Sequence, residues 1–200
     1  MLFLLKEMFR HFADMKMPFV ISAVLFALGI WIGIESEAFR DFLQGQLNSL
    51  GSAAETFGSM EHGRFWTGAF IFVNNTVKTI TVMYLGLLMG IIPVLFLLIN
   101  GMVVGYLLSI LDGQGLPVGE LIVKGLLPHG ILEIPAILVA CGYGLKMGAA
   151  ALSAAAGRPE GKAAFKKVMR VSLPLMLFLT VVLLIAAVIE STVTVWFLSM

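Results

Sequence analysis

The run Pro128-His129-Gly130-Ile131-Leu132-Glu133-Ile134-Pro135 sets an imidazole and a carboxylate four residues apart. On a helix they share one face. Three chemistries suit such a pair. It can satisfy itself and anchor a helix that proline interrupts. Proline frees the carbonyl four residues earlier, and a membrane helix keeps such a break only where another group re-satisfies it. It can relay protons or hold an ion. It can serve catalysis, but a zinc-protease helix carries two histidines at this spacing with a glutamate between them. Here there is one, and His11 and His62 fall near opposite membrane surfaces. No metal and no cofactor is expected.

Five more polar groups interrupt apolar stretches: Lys78, Glu190 and the amides of Asn74, Asn75 and Asn100. Ionisable groups in a bilayer are costly, so those present should be paired or functional. Glu190 can reach the headgroups, neutralise Lys78 or extend a network with Glu133. Lys78 can instead snorkel to the surface. Intramembrane amides commonly bond between helices, worth about 0.6–2 kcal/mol. Asn100-Gly101 also suits a turn. Broken helices near mid-membrane build transporter ion sites.

The elements that must position these groups are membrane helices. The chain has 200 residues, 60% of them hydrophobic and 12% charged, with mean hydropathy +1.01. Soluble domains carry about 25% charged residues. Net charge is +1, so nothing points to nucleic acid. Cys141 is the single cysteine. It excludes an intramolecular disulfide and a cysteine zinc site, and its apolar surroundings suit packing. No phosphate-binding loop, nucleophile elbow or kinase signature is present.

Residues 1–17 alternate Leu5, Met8, Phe9, Phe12 and Met15 with Lys6, Arg10 and Asp14, which predicts an amphipathic interfacial helix. Residues 18–200 then form one transmembrane bundle. Pro18 to Ile34 is just long enough to cross. Residues 35–65 are polar and glycine-rich. A helix is expected over about 66–98, then a turn at Asn100-Gly101 and a short helix over 101–111. Residues 119–149 follow, interrupted by Pro128 and Pro135. A charged stretch precedes a final helix over about 173–198.

Lysine and arginine set the orientation. Lys6, Arg10 and Lys16 place the N-terminus in the cytoplasm, and the basic segment 150–170 belongs there too. The acidic 35–65 loop belongs outside. That parity predicts five crossings and an external C-terminus. Lys162, Lys166, Lys167 and Arg170 form a basic stripe suited to anionic lipid, with partner docking as the other reading.

Four glycine pairs recur at four-residue spacing: Gly29/Gly33, Gly86/Gly90, Gly101/Gly105 and Gly144/Gly148. They allow close helix packing within the chain, and homodimerisation is the alternative.

The run Asn100-Gly101-Met102-Val103-Val104-Gly105 and the Pro-His-Gly-x-x-Glu-x-Pro element resemble the stage II sporulation protein M family. So do Gly142-x-Gly144-Leu145-x-x-Gly148, the late Ala-Val-Ile-Glu190 sequence and Asn74-Asn75. The resemblance covers roughly residues 65–195. It implies an integral membrane protein of about five helices. The sporulation member of such a family anchors a peptidoglycan-degrading complex without being the hydrolase. Many relatives belong to bacteria and archaea that do not sporulate. The resemblance marks Asn74, Asn75, Asn100, His129, Glu133 and Glu190 as signature residues.

The expectation is therefore an all-α, polytopic, non-enzymatic protein of a prokaryotic cell membrane. It would recruit membrane or envelope proteins for remodelling, with the lipid bilayer and a homodimer among its contacts. The alternative is a small transporter or channel with an intramembrane His/Glu/Asn site.

Overall fold

A computed structural model of the chain describes residues 12, 15–113, 119 and 127–194. The expected interfacial helix over 1–17 falls almost wholly outside them. No strand occurs among the described residues. Helix α1 spans Lys16–Glu35. A 3-10 turn over Glu37–Phe39 leads into α2, Arg40–Gly58. Then come α3 (Gly63–Leu85), α4 (Ile91–Gly113), α5 (Leu127–Ala155) and α6 (Pro159–Ile189). A π turn over Glu190–Thr194 closes α6.

Among the described residues four helices are long and apolar enough to cross a membrane: α1, α4, α5 from Gly130, and α6. Their outward faces are apolar, as lipid demands: Val20, Val24 and Trp31 on α1, and Leu177, Val181 and Val188 on α6 are exposed. Helix α3 is 23 residues long but carries Asn74, Asn75 and Lys78, and it is not among the four. Helix α5 is the axis. In its most apolar stretch 61% of residues are buried, against 22–39% in the other three.

The chain breaks where two glycines bracket a turn. The expectation of one helix to residue 98 with a turn at Asn100-Gly101 is corrected: α3 ends at Leu85, and Gly86–Gly90 form the turn. Gly90 adopts φ 77°, a conformation that glycine permits without strain, and Met89 before it is also left-handed at φ 56°. The Gly90 amide donates to the Gly86 carbonyl at 2.8 Å, and Pro93 falls in the first turn of α4. Asn100 and Gly101 lie mid-helix instead. Gly101 is there for packing: a β-carbon on it would lie 3.0 Å from the Gly29 Cα.

Helices α1 and α4 run side by side in the same direction. Phe26 and Gly29 meet Gly101, Ile30 meets Gly105, and Gly33 meets Met102. The two glycine pairs thus interlock within one chain. A second seam joins the α3–α4 turn to α5, where Gly86 meets Gly144 and Gly148 meets both Gly86 and Gly90.

Three further differences follow from local chemistry. The charged segment before the last helix is itself helical, so α6 is continuous over 31 residues. Gly157, at φ 76°, turns the chain, and Pro159 opens the new helix at its first position. Pro135 does not break α5. It sits exposed inside a continuous helix. The segment 35–65 is also largely helical. Leu43 of α2 is fully buried with Met102 and Tyr106 of α4, while Phe39 and Phe42 stay exposed.

Buried hydroxyls tie α6 to its neighbours. The Tyr143 hydroxyl donates to the Val168 carbonyl at 2.6 Å. The Tyr84 hydroxyl donates to Ser172 Oγ at 3.2 Å, and Ser172 Oγ donates to the Met169 carbonyl at 2.8 Å.

Candidate functional site

Asn74 is the midpoint of α3, and Lys78 and Thr79 lie one turn further along. Asn75 and Thr79 are four apart, as are Asn74 and Lys78, so this stretch presents a polar stripe about two residues wide. Asn100 sits near the middle of α4, and Glu133 in the second turn of α5. Helices α3 and α4 diverge from their short turn and leave a cavity of about 260 Å³ between them, with α5 behind it. Asn74, Asn75, Lys78, Thr79, Asn100 and Glu133 all line this cavity. The rest of its wall is apolar, with Phe26, Phe96, Val104 and Ile137 prominent.

Among the described residues the amides do not join helices. Asn74 Nδ2 donates to Asn75 Oδ1 at 3.3 Å, within α3. Asn100 Nδ2 donates to the Phe96 carbonyl at 2.8 Å, one turn back on α4. Each amide therefore keeps unused hydrogen-bonding capacity at the cavity wall. This is a correction to their expected interhelical bonding. The helix seams are made by glycine backbones, so the amides are not needed as glue.

Lys78 is exposed and has no ion pair among the described residues. Glu133, half-buried, is engaged in an interaction of its own. The backbone at His129 is helical, one residue before Gly130 of the cavity wall. The His129 side chain lies outside the described residues.

Glu190 is not part of this cavity. It opens the π turn at the end of α6, and no hydrogen bond or ion pair joins it to Lys78 or Glu133 among the described residues. Its neighbours Ala187 and Ser191 line a separate apolar groove with Phe65, Gly68 and Phe72 of α3. Gly68 lets the two helix ends meet, since a β-carbon there would lie 2.9 Å from Ser191 Oγ.

Sequence reasoning omitted Thr79, although its four-residue spacing from Asn75 was visible. It also omitted the phenyl walls Phe26 and Phe96, which look like ordinary apolar positions. Among the described residues no group of three or more His, Cys, Asp or Glu could hold a metal ion.

Comparison with known proteins adds one finding. No curated protein and no solved structure matches the chain. The sequence pattern described as stage II sporulation protein M does match, over residues 19–195. That match reaches beyond the segment carrying the resemblance in the sequence and takes in α1 and α2 as well. The cavity helices α3, α4 and α5 all fall inside it, and the chain belongs to the stage II sporulation protein M family.

Proposed function

We propose that the chain is a non-enzymatic membrane protein that holds a small polar or charged solute in the α3–α4–α5 cavity and passes it through the bilayer. One observation carries this reading. Three helices bring amides, an ammonium and a carboxylate to one cavity, while the described amide bonds stay within single helices. Polar groups that served packing alone would be spent across helix seams.

The reading takes α3 as a fifth crossing. At about 1.5 Å per residue its 23 residues reach about 34 Å, against a hydrocarbon core of about 30 Å. The parallel course of α1 and α4 supports it, because a return crossing must lie between them. The N-terminus is then cytoplasmic and the C-terminus external in a prokaryotic cell membrane. The exposed bases Arg158, Lys162, Lys166 and Arg170 support that orientation. Ion and solute flux into liposomes carrying the purified protein is the test. Glu133→Gln should abolish flux with the fold intact. Absence of flux across a range of ions and pH overturns the reading.

A second reading makes the chain an assembly component that recruits membrane or envelope proteins, as a monomer or a homodimer. The α5–α6 hairpin favours it. At 31 residues, α6 is about 46 Å long. Its basic first turns therefore overhang a core of about 30 Å by some 16 Å. Purification from native membranes tests it: a stoichiometric partner retained by the wild type and lost on Glu133→Gln supports assembly, and a partner-free protein counts against it.

A further inference from the structure

We infer that the cavity's ligand is an oxyanion of the phosphate class, held by Lys78; this rests on the solute-binding reading above. Lys78 is the one charged residue on α3 between Arg64 and the helix end. It lines the cavity and has no ion pair among the described residues. An ammonium at membrane depth calls for a counter-charge. Snorkelling to the nearer end of α3, at Leu85, runs against the geometry. Helical side chains lean toward the helix N-terminus, so Lys78 leans toward Asn74 and Asn75.

The groups beside it are suited to an anion. Asn100 Nδ2 spends one hydrogen on the Phe96 carbonyl and keeps a second. The Asn75 amide accepts from Asn74 through its oxygen, which leaves its own N–H groups to donate. Thr79 adds a hydroxyl. An ammonium with amide and hydroxyl donors makes charge-assisted hydrogen bonds to an oxyanion. Glu133, on the α5 wall, has an interaction of its own.

Size and polarity narrow the ligand further. A cavity of about 260 Å³ has room for several waters. That admits a phosphate with a few carbons, and the phenyl and aliphatic walls suit those carbons. The same group could come as free phosphate or as a lipid headgroup presented from the bilayer.

The experiment uses the full-length protein in phosphatidylcholine nanodiscs. Equilibrium binding is measured for inorganic phosphate, for short-chain phosphatidic acid, and for sodium ions as the cationic control. Saturable binding of either phosphate probe is expected. Lys78→Gln should weaken it about tenfold or more, the equivalent of about 1.4 kcal/mol, and Lys78→Arg should restore most of it. Asn75→Leu should also weaken it, and unchanged elution and melting for each variant separate lost binding from lost fold. Binding of both probes points to free phosphate, and binding of phosphatidic acid alone to a headgroup. Binding that Lys78→Gln leaves unchanged overturns the inference. Absence of binding by both phosphate probes overturns it too, and sodium binding or flux in liposomes then leaves the solute-binding reading standing. Failure of all three probes, with no flux in liposomes, overturns both.

Discussion

Gly86, at the end of α3, lies backbone to backbone with Gly144 in the middle of α5, so that a β-carbon on Gly86 would fall within the Gly144 peptide. The contact fixes where α3 stops and how α4 leaves it. It thereby sets the opening between α3 and α4 in which the cavity forms.

Gly86→Ala should therefore be costly. The added methyl meets backbone, which cannot rotate away, and overpacking of this kind costs about 1–3 kcal/mol. At this chain length that is roughly 2–12 °C of Tm. Gly45→Ala in α2 is the control, because its β-carbon would meet nothing within 4 Å. It should leave Tm unchanged or raise it by the about 0.5–1 kcal/mol that alanine gains over glycine in a helix. Thermal melting in one detergent measures both. Equal behaviour of the two variants would remove the close-packing argument.

Asn100→Leu should separate fold from function. The described amide bond runs to the Phe96 carbonyl of the same helix, so its loss should move stability by no more than about 1 kcal/mol. Flux through the cavity should fall sharply. A large drop in Tm instead would mean that the amide holds helices together, and the cavity reading would lose its main support.

The two tyrosines that reach α6 should differ. Tyr143 is fully buried and donates at 2.6 Å to Val168, so Tyr143→Phe should cost about 1 kcal/mol. Tyr84→Phe should cost less. Its bond is 3.2 Å, and Ser172 keeps its own bond to Met169. Melting of the two single variants in parallel gives the order, and the reverse order contradicts the assignment.

Thr76 is buried, and its hydroxyl has no hydrogen-bond partner among the described residues. An unpaired buried hydroxyl costs about 1–3 kcal/mol. Thr76→Val keeps the shape and removes the polar atom, so it should raise stability by about 1 kcal/mol, or roughly 2–4 °C of Tm. A fall in Tm would show that the hydroxyl is satisfied.

Composition and the length of the apolar runs together determined that this is a helical membrane protein: 60% hydrophobic and 12% charged residues point to lipid, where only helices and closed barrels satisfy their backbone, and unbroken apolar runs of about 20 residues suit helices and not the alternating strands of a barrel. The polar residues to watch were also legible, because an amide or charge in an apolar run is conspicuous one residue at a time. The break in the chain was not. Gly86/Gly90 and Gly101/Gly105 have the same four-residue spacing, yet one pair brackets a turn and the other packs mid-helix against Gly29. A glycine that permits a left-handed φ and a glycine that permits close approach are the same letter, and only the neighbour across the seam tells them apart. Partnership was likewise a tertiary matter. Asn75, Lys78, Asn100 and Glu133 are separated by up to dozens of residues and converge because α3 and α4 splay on either side of α5. Glu190 is equally conspicuous in the sequence but ends up in the π turn of α6, outside the cavity, because the end of α6 that carries it meets α3 at Gly68 and not at the polar stripe.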